Sequence, residues 1–561
     1  MGGRVVVTLG SRTEAIERLA QTTSDDPLDV LVVGGGITGA GIALDAAARG
    51  MRVGLVERFD VASGTSSKSS KLVHGGLRYL EQREFGLIRE ASTERDLLRR
   101  LAPHLVEPVP FTLPVSDRWN RAKFSVGLWA YDTLASFKNM KVHRHLDAEE
   151  TERRVPLLPH GKVKGGYLFY DCKTDDVRLV MENLIQARRY GAIVANYLPV
   201  RGLEPGKEVC RATVEDTETT ATFDIYARRV IVAAGVWTDR VEGLAAVGAP
   251  VRLRPSKGIH IAFRHESLPM DGSAAFIPDA ERKRFLFVIP WIDGVIVGTT
   301  DTAYEGNLDA PTVEPEDREY CLAAVNAVFD LGLTETDIAG AWAGLRPLVA
   351  ADKGATADLS RRHTVYDIAD GIIGITGGKL TTFRRMAMDA VDRIAGDLGN
   401  TVRSRTQWIR LGSSNVGALN AAVTRRAAVM GINPERASNL VRCYGDRALA
   451  VLDLAATEGA TAPLIEDHLP LEAEVLYCAR SEMAVHLSDF LARRTRLALL
   501  DREAGLGDDA RAGRAMADVL SWDDMTTATE IEGFKADVER ERGMRLGAAP
   551  APSGVTRERA G

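Results

Sequence analysis

The feature that most narrows the fold is the run Asp29-Val30-Leu31-Val32-Val33, followed at once by Gly34-Gly35-Gly36-Ile37-Thr38-Gly39. Four consecutive apolar residues ahead of a glycine cluster read as a strand buried on both faces, as in a parallel sheet. Thr38 to Arg49 reads as a helix closed by Gly50, and Val53-Gly54-Leu55-Val56-Glu57 as a second strand. Together they form a βαβ unit with a G-x-G-x-x-G between strand and helix. There Gly34 permits the tight turn, Gly36 lets a pyrophosphate approach the backbone, and Gly39 brings helix and strand together. The helix N-terminus at Thr38 offers N–H groups and a positive dipole to phosphate. Glu57, about 20 residues on, stands where a carboxylate accepts hydrogen bonds from an adenosine ribose, with Arg58 beside it. A dinucleotide site is the reading.

Two later segments repeat the strand-to-glycine signature: Val230 to Gly235, with Ala234 before the glycine, and Gly371 to Gly378. Between them, shorter β-like runs such as Phe285 to Pro290 and Gly294 to Thr299 suggest a second, mixed or antiparallel sheet. From about residue 413 the pattern turns helical, with a long amphipathic window from Glu472 to Arg502. The fold class expected is α/β: a Rossmann-like nucleotide-binding domain, a mixed or antiparallel sheet domain beside it, and a C-terminal α-helical cap domain. The nucleotide domain is expected to be discontinuous, over 28–110, 165–250 and 340–400, with the second sheet over 111–164 and 251–339. The helical domain is expected over 405–545, and residues 1–27 and 546–561 as a flexible extension and a disordered tail.

A length of 561 residues, 45% of them hydrophobic, suits two or three globular domains. A net charge of -6 gives no reason to expect a nucleic-acid partner. The five cysteines form no C-x-x-C pair, so neither a zinc site nor a disulfide framework is readable, and no metal is expected. No signal-peptide core or membrane-length apolar window is seen, so a cytoplasmic or membrane-surface location is expected.

G-x-G-x-x-G alone does not separate NAD from FAD. The hydroxyl-dense loop Ala62-Ser63-Gly64-Thr65-Ser66-Ser67-Lys68-Ser69-Ser70-Lys71 favours FAD, because it can wrap an extended cofactor already bound at the first strand. A helix opening at Gly378-Lys379 would aim N–H groups and a lysine at the ring, stabilising the negative charge of a reduced flavin.

Residues 66 to 81, Ser-Ser-Lys-Ser-Ser-Lys-Leu-Val-His-Gly-Gly-Leu-Arg-Tyr-Leu-Glu, resemble the signature of FAD-dependent glycerol-3-phosphate dehydrogenases. Similar stretches are Ser256 to His260, Val288 to Trp291, Gly298 to Asp301, Gly344 to Leu348 and Gly377 to Arg384, so the resemblance spans about Asp29 to Glu503. It implies non-covalent FAD, held by the βαβ residues above with Thr65, Ser66, Ser67, Ser70, Lys71, Leu72, Gly75, Gly76 and Leu77. Ala234, Gly235, Gly377, Gly378, Lys379, Leu380 and Thr381 complete that set. It further implies oxidation of sn-glycerol 3-phosphate to dihydroxyacetone phosphate, with electrons passed to a membrane quinone. Arg78, Tyr79, Arg346, Arg361 and Lys379 would line the substrate site. Ser360-Arg361-Arg362-His363 departs from the family's usual Arg followed by an acid and an aromatic, which leaves Arg362 as a substitute.

The chemistry agrees with that implication. A phosphate that is nearly a dianion needs several cationic donors, and the planar fork of arginine suits it. Hydride leaves a carbinol carbon only as the hydroxyl proton is removed, so a base must stand within hydrogen-bond reach. His260 is the first candidate and His74 the second. Neighbouring cations would keep the imidazole neutral. Arg346 could stabilise the developing alkoxide. The stretch Arg118 to Arg144 interleaves Trp119, Phe124, Trp129, Tyr131 and Phe137 with basic residues, which suits a helix in a lipid headgroup region and equally a core-facing helix. The alternatives are an oxidase that uses oxygen, an amino-acid oxidase on the same fold, and a flavoprotein without turnover. The C-terminal region is left open between dimerisation, giving a homodimer, and acceptor docking.

Overall fold

The computed structural model describes residues 7–76, 84–115, 118–134, 141–245, 251–270, 272–279, 281, 284–349, 363–507 and 510–546. Leu28–Val33 is the hub of an eight-stranded sheet. In spatial order six of its strands run Thr364–Ala369, Ile372–Thr376, Thr222–Val232, Leu28–Val33, Val53–Val56 and Ile193–Ala195, while Cys210–Glu215 adds to Thr222–Val232 and Val200–Glu204 to Cys210–Glu215. Leu28–Val33 pairs in parallel with Thr222–Val232 and Val53–Val56, and Thr222–Val232 in parallel with Ile372–Thr376. The three strand-to-glycine signatures are therefore neighbours, with their glycine ends on one edge, where open α/β sheets bind ligands. The helices Ile37–Ala48, Asp176–Arg189 and Phe383–Ala395 cover this sheet; Ile37–Ala48 buries nearly all of its residues, which explains its poor amphipathicity.

A ten-stranded sheet stands beside the first. Its order is Thr302–Ala303, Ser256–Arg264, Gly294–Gly298, Phe285–Trp291, Ala274–Pro278, Glu107–Pro114, Gly166–Lys173 and Leu72–Val73. Ile338–Arg346 adds to Ser256–Arg264, and Arg144–Leu146 to Gly166–Lys173. Here the expected boundaries need correcting. Gly166–Lys173 and Ile338–Arg346, placed by sequence in the nucleotide domain, belong to this second sheet through antiparallel ladders with Glu107–Pro114 and Ser256–Arg264. Both strands are buried on both faces, so alternation could not mark the sheet they join.

The expectation of a loose extension over 1–27 is also corrected over its described part. Ser11 caps a helix, Arg12–Ala20, whose Ala15 and Leu19 are buried one turn apart. Arg12 pairs with Asp216 and donates to the Asn196 carbonyl at 3.0 Å. Two apolar residues suffice to dock so short a helix, and that is too little for periodicity to reveal. Residues 547–561, and with them nearly all of the expected tail, lie outside the described residues.

The C-terminal domain has its own core, with Val423, Leu440, Leu452 and Phe490 among its buried residues, inside the helices Val416–Val429, Pro434–Tyr444, Ala448–Glu458, Glu472–Ser481, Arg511–Leu520 and Asp524–Arg542. The amphipathic window from Glu472 is not continuous: the helix stops at Ser481, a π-helical turn covers Asp489–Arg494, and Arg496 takes a left-handed φ of +69°. The break lets three basic and acidic side chains reach the body. Arg494 meets Asp60 at 2.8 Å, Glu482 meets Arg178 at 2.8 Å, and Arg496 pairs with Asp175.

Candidate active site

Gly34 takes a φ of +115°, and a Cβ there would lie 2.5 Å from the Ala233 carbonyl oxygen. Gly39 is held tighter, because its Cβ would lie 1.9 Å from the Gly34 carbonyl oxygen. Gly36 opens the helix Ile37–Ala48 without a capping side chain, and the Ser66 hydroxyl accepts from the Ile37 N–H at 2.9 Å. The Glu57 carboxylate accepts from the Gly35 N–H at 2.6 Å and the Phe59 N–H at 3.0 Å. Burial raises its pKa above the usual carboxylate range, and the two N–H groups oppose the rise. Arg58 lies 4.2 Å from the Phe59 ring and 5.0 Å from the Trp237 ring and pairs with Asp309 at 2.6 Å. Asp309 also accepts from the Trp237 indole at 2.6 Å and pairs with Arg240 at 2.9 Å. This clasp of Trp237, Arg240 and Asp309 went unseen in sequence; the one available signal was Trp237, two residues past the glycine of the second signature.

The serine-rich loop folds across the mouth of this turn. Thr65 donates to the Leu345 carbonyl at 2.6 Å, tying the loop to the second sheet. Thr65, Ser66, Ser70, Leu72, His74 and Gly76 line a cleft of about 540 Å³ together with Gly34, Gly36, Thr38, Glu57 and Arg58. Ala234, Gly235, Gly377, Gly378, Lys379, Leu380 and Thr381 line it too. Four expected cofactor residues do not reach it. Gly39 is spent on helix packing, and Ser67 turns back to the Gly64 carbonyl at 3.2 Å. Lys71 is buried against Asp176 at 2.9 Å. Gly75 donates its N–H to Asp171 at 3.0 Å, and a Cβ there would meet the Tyr131 hydroxyl at 1.9 Å. Leu77, Arg78, Tyr79, Arg361 and Arg362 lie outside the described residues.

At the other end of the cleft, residues of the second sheet converge. Ser256 pairs with Arg346, Gly258 with Gly344 and His260 with Trp342 across one antiparallel ladder. With a side-chain period of two, His260 and Arg346 share a face, and both line the cleft. Arg346 donates to Thr299 Oγ1 and the Thr300 carbonyl at 3.1 Å each, and meets Asp301 at 3.3 Å. Space for its guanidinium comes from Gly258, where a Cβ would lie 2.2 Å from Arg346 Nη2. The His260 ring stacks on Trp342 at 5.2 Å and 15°, and its Nε2 lies 2.9 Å from the Ser70 hydroxyl. Burial, then Arg346 and Lys71, press its pKa well below the ordinary imidazole value. Lys379 follows Gly377 and Gly378, at φ of +78° and +73°, which turn the chain from the strand Ile372–Thr376 back over the cleft. The His74 backbone N–H donates to Thr381 at 3.1 Å, joining this turn to the serine loop. An imidazole whose charged form is disfavoured by burial therefore stands with cationic side chains at one end of a cleft whose other end is the glycine turn.

The comparisons with known proteins decide what that cleft belongs to. Residues 29–383 match the model of the FAD dependent oxidoreductase family, and residues 404–527 that of the C-terminal domain of alpha-glycerophosphate oxidase. A glycerol-3-phosphate dehydrogenase 2 of Mycobacterium tuberculosis is 40% identical over 522 residues, 92% of this chain and 89% of the relative. The chain belongs to the FAD-dependent glycerol-3-phosphate dehydrogenase family. An aerobic glycerol-3-phosphate dehydrogenase of Staphylococcus aureus is 34% identical, over 93% of this chain and 96% of its own length. The structure of the glycerol-3-phosphate dehydrogenase from Bacillus halodurans complexed with FAD superposes with a TM-score of 0.77 at 29% identity, covering 95% of this chain and 98% of the other. FAD is thus the cofactor of this oxidoreductase. The residues present fit it: glycines whose Cβ atoms would collide with backbone, an open helix N-terminus, and a carboxylate at the end of the second strand.

Proposed function

We propose that this chain oxidises sn-glycerol 3-phosphate to dihydroxyacetone phosphate. The observation that carries the reading is the placement of a buried His260 and Arg346 on one face of the sheet, inside the cleft that reaches the glycine turn. Gly34, Gly36, Thr38 and Glu57 would hold the adenosine and pyrophosphate. Thr65, Ser66, Ser70, Gly76 and the Gly377–Thr381 turn would hold the rest of the cofactor. Bound FAD supplies the acceptor for the hydride. His260 takes the carbinol proton on a ring nitrogen, while Arg346 neutralises the oxygen as it gains charge. Lys379 adds a cation at the same end, and Arg78, Tyr79 and Arg361 extend the substrate contacts by resemblance. Phosphate specificity then rests on charge, which an amino-acid substrate would use differently.

Electrons leave, in this reading, to a membrane quinone. Among the described residues no helix is long and apolar enough to cross a membrane. The helix Arg118–Leu134 turns Val126 and Trp129 outward. Its aromatic residues divide: Tyr131 is buried on Arg95, and Phe124 packs on Phe285 at 5.9 Å. From Phe285 the rings Phe276 and Phe287 lead at 4.9 Å steps to the cleft wall. Trp129 is therefore a better candidate than Phe124 for a lipid contact. Anaerobic titration with sn-glycerol 3-phosphate tests the main reading: the visible flavin band should bleach with this substrate and not with glycerol or glycine. A band that persists refutes the substrate. Rapid peroxide formation in air would reassign the acceptor to oxygen.

A further inference from the structure

Lys71 has no place in the cleft, yet it is fully buried beside it. Its ammonium meets both Asp176 oxygens at 2.9 Å and donates to the Ser67 carbonyl at 2.6 Å. It also lies 5.3 Å from the Trp291 ring and 5.4 Å from the Trp342 ring. Trp342, itself wholly buried, is the ring on which His260 stacks. Asp176 also accepts from the Ser69 hydroxyl at 2.7 Å, so one carboxylate fixes the loop that brings Ser70 to His260 Nε2 at 2.9 Å. An ion pair this deep is a poor device for stability alone, because an apolar pair of equal volume usually serves as well. What an apolar pair would lack is an ammonium group acting on the His260 imidazole.

Resting on the reading of His260 as the proton acceptor, we infer that Lys71, sealed under the His260–Trp342 stack by Asp176, is a positioning residue whose fixed charge keeps the imidazole uncharged and able to accept a proton. Among the described residues the cations acting on the imidazole are Arg346 on the strand Ile338–Arg346 and Lys71 in the loop, each with a carboxylate beside it, Asp301 at 3.3 Å from Arg346 and Asp176 at 2.9 Å from Lys71. Around Lys71 itself stand Asp176, Asp175 and Arg496. Burial lowers the pKa of Lys71 below the ordinary lysine value, and Asp176 opposes that shift. Arg346 must move its attention to substrate during each turnover. Lys71, out of reach of substrate, acts in both the empty and the occupied site.

The test removes the charge and keeps the shape. In the double variant Lys71→Gln with Asp176→Asn no buried charge is stranded, and Lys71→Arg restores the cation. The rate of flavin bleaching by sn-glycerol 3-phosphate is followed against pH in the holoenzyme, and the acid limb of kcat/KM is read. Protonation of the base removes activity on that limb, so a higher imidazole pKa moves the limb upward. The expected displacement in the double variant is about half a pH unit, because Asp176, removed with it, cancels part of the roughly one-unit effect of a cation several ångströms away at an effective dielectric of about 20. Lys71→Arg should return the limb to its wild-type position. The substrate phosphate also titrates, near about pH 6, but identically in every variant, so the difference is the readout. A lysine that only braces the loop would lower the melting temperature and leave the limb where it was, and that result overturns the inference. Should that double variant not fold, the apolar pair Lys71→Met with Asp176→Leu is compared with wild type by histidine NMR: the His260 transition should lie about half a pH unit higher, and an unmoved transition overturns the inference. If His260→Asn bleaches at the wild-type rate, the reading of His260 as base fails instead, and the difference in the His260 transition between wild type and the Lys71 variant still reports on Lys71.

Discussion

Replacing Gly258 by alanine isolates the contribution of Arg346 without touching it. The added methyl would lie 2.2 Å from Arg346 Nη2, 2.6 Å from Cζ and 2.7 Å from Nη1. Ordinary contact needs about 3.5 Å, so the guanidinium must retreat by about 1 Å. It would then lose its bonds to Thr299 and Thr300 at 3.1 Å and its seat beside Asp301. Because the obstructed atoms are the far end of a flexible side chain, the fold should absorb the change. Alanine in a strand interior even recovers about 0.5–1 kcal/mol of glycine entropy. Catalysis should not absorb it: two charge-assisted hydrogen bonds to the reacting oxygen, at about 1.5 kcal/mol each, amount to about 3 kcal/mol. That is about 100-fold in kcat/KM, also the loss expected when a catalytic group is misplaced by about 1 Å. The assay is dye-linked turnover with sn-glycerol 3-phosphate, alongside thermal unfolding of the holoenzyme. The double variant Gly258→Ala with Arg346→Ala should be about as fast as Arg346→Ala alone, since the three atoms nearest the methyl all belong to the guanidinium. A kcat/KM within about threefold of wild type, with the melting temperature unchanged, would refute the role given to Arg346.

Other consequences are as direct. Gly39→Ala would drive a methyl into the Gly34 carbonyl oxygen, and backbone cannot swing aside; the purified protein should lose its yellow colour, and retention of a full flavin band would contradict the cradle. Arg494→Ala would remove one of the two arginines that hold the buried Asp60, leaving Arg493 at 2.5 Å as its remaining cation. About 1.5–3 kcal/mol of stability should go in denaturant unfolding, and Arg494→Lys, which keeps a cation there, should recover part of it. His468 sits between Asp293 at 3.1 Å and Asp501 at 3.4 Å; burial disfavours its charge, but the two carboxylates prevail and raise its pKa to about 9. A folded pKa above the unfolded value means that the stabilisation is full below about pH 6.5 and fades as pH rises through about 9. The melting temperature should fall across that window in wild type and fall less in His468→Gln; equal falls would exclude His468 as the cause.

The parts of this molecule that were legible in sequence are those where backbone conformation leaves a residue no choice. Gly34 and Gly39 carry their meaning in order because each fills a place where any Cβ meets a carbonyl oxygen. His260 and Arg346 were legible by resemblance and by chemistry, although that they share a face depends on a ladder between strands whose sheet had been misassigned at one end. Buried charge was not legible. Asp60 and Arg494 lie 434 positions apart, and Lys71 and Asp176 lie 105 apart. A charged residue in a polar loop has the same appearance whether it faces solvent, ligand or a partner that the chain reaches much later.

Lys71 and Lys379 make the distinction concrete. Both follow small residues, both lie in loops beside the same cleft, and sequence placed both on the cofactor. Lys379 is delivered by two glycines of positive φ that turn the chain over the cleft, so its direction is set by its neighbours. Lys71 itself takes a φ of +57°, which turns its side chain away from the serines before it and under Trp342. The same loop thus divides its labour by backbone sign: hydroxyls of Ser66 and Ser70 face the ligand side, while the lysine goes beneath the floor to act on the base through the protein. Charge in this site is therefore arranged in two layers. In the proposed reading, an upper layer of Arg346 and Lys379 meets the substrate's negative charge, and a lower layer of Lys71 paired with Asp176 acts on the imidazole between them.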